Sequence, residues 1–199
     1  MKKLCNWILT FTILFPSLSF AGFLIEPYLG YGISGDGSLK LSGNGTDHDL
    51  NYHNFTFGGK LGAQGMGIMG GFDYGASSYK LKSVTSSNNY EDSVEQDQIG
   101  VFFGYNFPVL VRLYASYYFA ATLDGVDPPS ASHQIDNRDE FTGDGYALGI
   151  GFTGIPLFSL NLEFRKFNYD TWKVSGVEQS YIDFSLSEIM LSVSMPINL

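Results

Sequence analysis

The sequence predicts an all-β chain folded as an eight-stranded antiparallel up-and-down transmembrane β-barrel of the outer-membrane type. Three observations predict it: an N-terminal export segment, eight later segments in which apolar and polar residues alternate, and charged residues confined to one parity of that alternation.

Composition narrows the classes first. Of 199 residues, 44% are hydrophobic and only 16% charged, with 24 Gly, 17 Phe and 13 Tyr. Few charges with many aromatics exclude disorder. The glycine content argues against a helical bundle, and its lack of period excludes collagen. Twenty acidic and eleven basic residues give a formal charge of −9, which repels phosphates and excludes a general nucleic-acid-binding role. Cys5 is the single cysteine, so no disulfide forms within the chain.

Two parts are expected, a signal peptide over 1–21 and a barrel domain over 22–199. Lys2 and Lys3 precede the apolar run Leu4–Phe15, and Ser19 and Ala21 supply the small residues of a cleavage site. Asn6, Thr10, Thr12, Pro16 and Ser17 interrupt the segment too often for an anchor of roughly 20 apolar residues. No later run suits a helix, so the crossing falls to strands of roughly 9–11 residues.

The first strand is expected over Phe23–Ile33, with Pro27 near its end because it lacks a donor. The next two are Phe55–Gln64 and Ile68–Ala76. The fourth sets Ile99, Val101, Phe103, Tyr105 and Phe107 against Gln98, Gly100, Phe102, Gly104 and Asn106, and the fifth alternates in the same way over Val111–Leu123. Tyr146–Thr153, Phe158–Arg165 and Glu188–Ile197 complete the eight. Ile182, Phe184 and Leu186 lie on the opposite parity to Ile189, Leu191 and Val193, which a bulge near Ser187 would reconcile. Connections alternate in length. Short ones are expected at 63–67, 106–110 and 153–157, and long polar loops at 34–51, 77–97, 124–144 and 168–181, the periplasmic and extracellular sides of a barrel.

Charge decides which parity faces lipid. Glu26, Lys60, Asp73, Arg112, Glu163, Arg165 and Glu188 share the polar parity, amid Gly, Ala, Ser, Asn and Thr. An Arg or Lys facing lipid at mid-bilayer costs about 2–4 kcal/mol, whereas four acids and three bases inside a narrow lumen can pair as a structural network. Tyr28, Tyr31, Tyr52, Tyr74, Tyr105, Phe107, Tyr117, Phe119, Tyr146 and Phe158 are expected in interfacial girdles.

The stretches Ile25-Glu26-Pro27-Tyr28-Leu29-Gly30-Tyr31-Gly32, Phe57-Gly58-Gly59-Lys60-Leu61-Gly62 and Ser159-Leu160-Asn161-Leu162-Glu163-Phe164-Arg165 resemble the OmpA/OmpX-type small outer-membrane β-barrels. The resemblance implies location in a Gram-negative outer membrane, insertion by the outer-membrane assembly machinery, and contact with lipid and lipopolysaccharide. One departure is the C-terminus, Leu199 where such barrels commonly end on Phe.

Chemistry is sparse. His48, His53 and His133 lie in or beside long loops, and His53 with Asp47, Asp49 or Ser42 is the one set that could imitate a lipid-A-modifying enzyme. Asp124, Asp127, Asp136, Asp139, Glu140 and Asp144 form a candidate cation-binding loop, without the order of a calcium-binding loop. Phe102 and Tyr118, on the inner parity, could line a slot for a small apolar solute, the narrow-channel alternative. The leading expectation is a monomeric, non-enzymatic barrel without cofactor, stabilising the envelope or meeting an unknown surface ligand through acidic loops.

Overall fold

The computed structural model describes residues 22–41, 48–85, 88–129, 135–179 and 182–199. The expected signal peptide, Met1–Ala21, lies outside the described residues. The strands are β1 (Gly22–Leu41), β2 (His48–Gly65), β3 (Ile68–Thr85), β4 (Asn88–Asn106), β5 (Val111–Gly125), β6 (Asp139–Ile155), β7 (Phe158–Val174), β8 (Val177–Gln179), β9 (Ile182–Ser194) and β10 (Ile197–Asn198). Consecutive strands from β1 to β7 pair antiparallel, and β9 pairs with both β7 and β1, closing a barrel of eight long strands. The short β8 extends the β7 hairpin beyond β9, and β10 resumes the ladder beneath it.

Short turns stand at one end, as expected. Met66 and Gly67 make a two-residue turn with φ of 53° and 84°, the left-handed pair whose twist matches the flanking strands. A Cβ on Gly67 would lie 2.8 Å from the Asn106 carbonyl oxygen. Pro27 sits where β9 stops at Tyr28↔Ser194 and before β10 resumes at Ile25↔Ile197, so its missing donor falls at a break in the ladder.

At the other end the strands overrun a bilayer. β1 has 20 residues and β4 has 19, about twice what crossing requires. Most of the expected loops at 34–51, 77–97 and 168–181 are therefore strand, whereas the described residues 126–129 and 135–138 of the fourth lie outside the strands. The reason is an inversion of pattern, with the period-2 alternation continuous through β2, β3, β4, β7 and β9 and shifted by a bulge in β1 and in β5. In the lower barrel, exposed Leu29, Phe57, Phe72, Phe103, Leu148 and Leu191 form the outer belt, and the seven charged residues point inward. In the upper barrel the outer parity becomes Asp36, Asn51, Lys80, Lys82, Glu95 and Asp97, while Leu39, Leu81, Val94, Leu123, Phe141 and Phe184 turn inward and are buried. β3 carries the switch in one strand, Phe72 and Tyr74 giving way to Ser78 and Lys80 outside as Asp73 and Ser77 give way to Tyr79 and Leu81 inside. Lipid outside requires apolar side chains, and water outside requires the reverse.

This inversion also replaces the bulge expected near Ser187. The β7–β9 register runs unbroken from Ser159↔Ser194 to Tyr169↔Phe184. Phe184 and Leu186 are buried inside the upper barrel, and Ile189, Leu191 and Val193 face outward lower down. Bulges stand on β1 instead, where pairing with β9 skips Ile33, and on β5, where pairing with β4 skips Phe119.

Candidate functional site

Inside the membrane-spanning part, the sequence folds side chains into a filled lumen. Glu26, Lys60, Asp73, Arg112, Glu163, Arg165 and Glu188 are all buried, none more than 3% exposed. They form three groups. Near the turn end, Arg112 pairs with Glu26 and donates to the Ser159 hydroxyl at 3.1 Å, while Ser194 Oγ donates to Glu26 at 2.5 Å. Beneath this lies a small apolar cluster of Leu24, Met69, Phe102 and Tyr114.

Asp73 anchors the second group. It accepts hydrogen bonds from Tyr28 Oη at 3.1 Å, Ser116 Oγ at 2.9 Å and Tyr118 Oη at 3.1 Å, and Lys60 Nζ lies 3.6 Å from it. The same ammonium stands 4.4 Å from the ring centre of Tyr28 and 4.9 Å from that of Tyr114, so a desolvated cation is covered by two π faces as well as a carboxylate. In the third group Arg165 donates from Nε and a terminal nitrogen to Glu163 at 3.1 and 3.0 Å, with Glu188 at 3.9 Å on its other side. The tyrosines that complete these groups were missed by sequence reasoning in their role. Tyr28 and Tyr52, expected in girdles, point inward and are only 3% and 4% exposed. Their even parity, shared with Glu26 and Thr56, was the available signal. The other girdle aromatics face outward.

Above the charges, the barrel is closed by an apolar core. Leu39, Leu81, Val94, Leu123, Phe141, Phe167 and Phe184 pack with Tyr52, Tyr79 and Tyr169 in one cluster. Phe141 meets Phe184 edge to face at 5.2 Å and stacks on Trp172 at 6.2 Å. Ile135, from the β5–β6 connection, is 2% exposed and joins the same cluster from above. Phe102 and Tyr118, the residues that would line a slot under the channel alternative, are buried, Tyr118 with its hydroxyl committed to Asp73.

The six carboxylates expected in a cation-binding loop are dispersed. Asp136 accepts from Arg138, Asp139 accepts from Trp172 Nε1 at 2.9 Å, Asp127 accepts from the Ser93 amide at 2.6 Å, and Glu140 accepts from Lys173 at 2.8 Å. Asp144 lies on the outer face of β6. Among the described residues, no group of three or more His, Cys, Asp or Glu could hold a metal ion. The reason is that 124, 139, 140 and 144 belong to strands, whose alternation turns neighbours to opposite faces. What remains together is an acidic row on the outer wall, because Glu95 pairs with Asp124 and Asp124 with Glu140. Partial burial, then Glu140, Asp97 and Glu95, hold the Asp124 carboxyl above its usual pKa. Its Glu140 partner in turn holds the Lys173 amine above its ordinary value.

His53 lies on the outer face of β2, its ring stacked on Tyr31 with centroids 6.3 Å apart. Of its expected partners, Ser42 and Asp47 lie outside the described residues, as do His133 and the side chain of Asp49. Beside His53 the wall is irregular. β1–β2 pairing breaks between Tyr31↔Phe55 and Asp36↔Asn51, so four residues of β1 oppose three of β2. Gly32 and Gly35 let inner side chains pass, since a Cβ there would lie 1.7 Å from Asn54 Oδ1 and 2.3 Å from the Tyr52 ring. An outward groove of about 560 Å³ follows this break.

No protein-family model and no curated protein matches the chain. Solved structures do. Neisserial surface protein A matches with a TM-score of 0.50 at 15% identity, over 88% of this chain and 97% of that one. Ail of Yersinia pestis, solved with the heparin analogue sucrose octasulfate, matches with a TM-score of 0.49 at 14% identity, over 88% and 99%. OprG of Pseudomonas aeruginosa matches with 0.48 at 11%, over 89% and 97%. The fold is that of the small eight-stranded outer-membrane barrels.

Proposed function

We propose that the protein is a sealed, non-enzymatic barrel of the Gram-negative outer membrane, exported by Met1–Ala21, inserted by the assembly machinery as a monomer, and holding a rigid extracellular collar for contact with surface molecules. The observation that carries this reading is the filled interior: an ionic layer at membrane depth and above it an apolar core capped by Ile135. Side chains so packed across the lumen support a sealed barrel over the narrow-channel reading. The collar's outer wall is polar and includes the Glu95–Asp124–Glu140 row, a surface suited to a cationic partner or to cation-bridged lipopolysaccharide.

Planar-bilayer recording of the folded, reconstituted protein tests the seal. The reading predicts a flat trace, and reproducible single-channel steps would contradict it. Cells displaying the protein should bind polylysine-coated beads, and Glu95→Gln with Asp124→Asn and Glu140→Gln should reduce that binding. Lipid A recovered from expressing cells should keep its mass with or without His53→Ala. A mass change that His53→Ala abolishes would establish the enzyme reading instead.

A further inference from the structure

The groove beside the β1–β2 break has a two-part lining. Tyr31, Ile33 and Phe55 supply its apolar side and belong to the top of the outer belt, each at least half exposed. His53, Lys80 and Lys82 supply its polar side, with Asn51 and one carboxylate, Asp36, on the β1 edge, so that two lysines face a single acid. Registers fix their arrangement: Lys80 is directly across from His53, one side-chain step or about 7 Å above the Phe55↔Ser78 pair, and Lys82 is across from Asn51, one step higher. The groove thus straddles the level at which the outer wall changes from apolar to polar. Lys82 lies 3.4 Å from Glu91, both exposed. Among the described residues no ion pair joins Lys80 to a carboxylate, and its exposed ammonium lines the groove.

We propose that this groove seats one phosphorylated lipid of the outer leaflet. An acyl chain runs along Ile33 and Phe55, and a headgroup phosphate is held by Lys80 with Lys82 beside it. Charge complementarity and depth select this occupant. A protein partner would not need apolar residues at belt level, and a free anion would not use them. The β1 bulge is what builds the seat, because it turns both Ile33 and Ser34 outward and opens the wall beside His53. The inference rests on the collar standing above the bilayer, as in the proposed function.

The test uses the folded chain in phosphatidylcholine nanodiscs doped with bisphosphorylated lipid A or its dephosphorylated form, with native mass spectrometry counting retained lipid. The wild type should retain the bisphosphorylated form about 10- to 30-fold better. Lys80→Gln with Lys82→Gln should abolish that preference, and Ile33→Ser should lower retention of both forms. Equal retention of the two forms by the wild type, or a preference untouched by the lysine changes, would overturn the proposal. So would complete displacement by millimolar inorganic phosphate, which would mark a site for the free anion. Heat-modifiable gel migration confirms that each variant is folded. Conductance from the same preparations separates the two readings: a silent barrel without lipid preference removes this inference alone, whereas a conducting one removes the sealed barrel.

Discussion

The lower and upper halves of the barrel use the same strands and the same ladder with opposite side-chain dressing. In the lower half Phe72, Phe103 and Leu148 face outward and Lys60, Asp73 and Arg165 inward. In the upper half Lys80, Glu95 and Asp170 face outward, and Tyr79, Leu81 and Phe184 inward. Backbone hydrogen bonding is indifferent to which parity is apolar, so the surrounding solvent decides. The difference teaches that the membrane boundary of this chain is written in parity, with no change of secondary structure at the crossing level. The halves also differ in what makes their interiors costly to disturb: unpaired charge below, lost apolar packing above.

The largest expected effect breaks the lower interior. Arg165→Ala strands Glu163 and Glu188 in a dry lumen, and should cost about 3–5 kcal/mol in the urea unfolding of the reconstituted protein. An unaltered midpoint would mean that water reaches these groups. In the upper interior, Phe184→Ala removes a ring that packs on both Phe141 and Tyr169, and should cost about 3 kcal/mol or somewhat more. It should also leave the lower-half ion pairs intact, read as an unchanged response to Arg165→Ala in the double variant.

Outward substitutions sharpen the contrast. Leu148→Arg, in the belt, should cost about 2–4 kcal/mol. Asn51→Arg, on the collar's outer wall, should stay within about 0.5 kcal/mol. Similar costs at the two sites would mean that both meet the same solvent.

The smallest effect is electrostatic. Asp124 lies directly between Glu95 and Glu140, so Asp124→Asn should stabilise by about 0.2–1 kcal/mol at neutral pH. The sign follows from the raised pKa: the folded state holds this proton more tightly, so stability falls as pH rises from the unfolded carboxylate range through the folded value. The variant's advantage should vanish in acid, where wild-type Asp124 is neutral, and shrink in high salt. A pH-independent advantage would assign the effect to something other than charge.

How much of this was legible follows from the same contrast. The belt was readable because Ile99, Val101 and Phe103 alternate with Gly100 and Phe102 in a plain period of two, and the inward placement of Arg112 and Glu163 followed from their parity. The collar resembles loop in the sequence because Ser78, Lys80 and Lys82, or Glu95 and Asp97, look like solvated connections when only apolar-outward patterns are counted. Tyr79, Leu81 and Val94 between them carried the missing signal. The same inversion made 182–195 look like a bulge. Partners across strands, such as Lys60 with Asp73 or the dispersed carboxylates of 124–144, depend on register. One sequence does not specify register until both neighbouring strands are placed.

Site-directed spin labelling tests the inversion most directly. In the Cys5→Ser background, Phe72→Cys, Lys80→Cys and Leu81→Cys place a probe on the belt, on the collar's outer wall and in its core. The account predicts that Phe72→Cys is reached by lipid-soluble oxygen, Lys80→Cys by a water-soluble nickel chelate, and Leu81→Cys by neither. A label at Lys80→Cys that relaxes with oxygen and ignores the chelate would put lipid around the collar and contradict it.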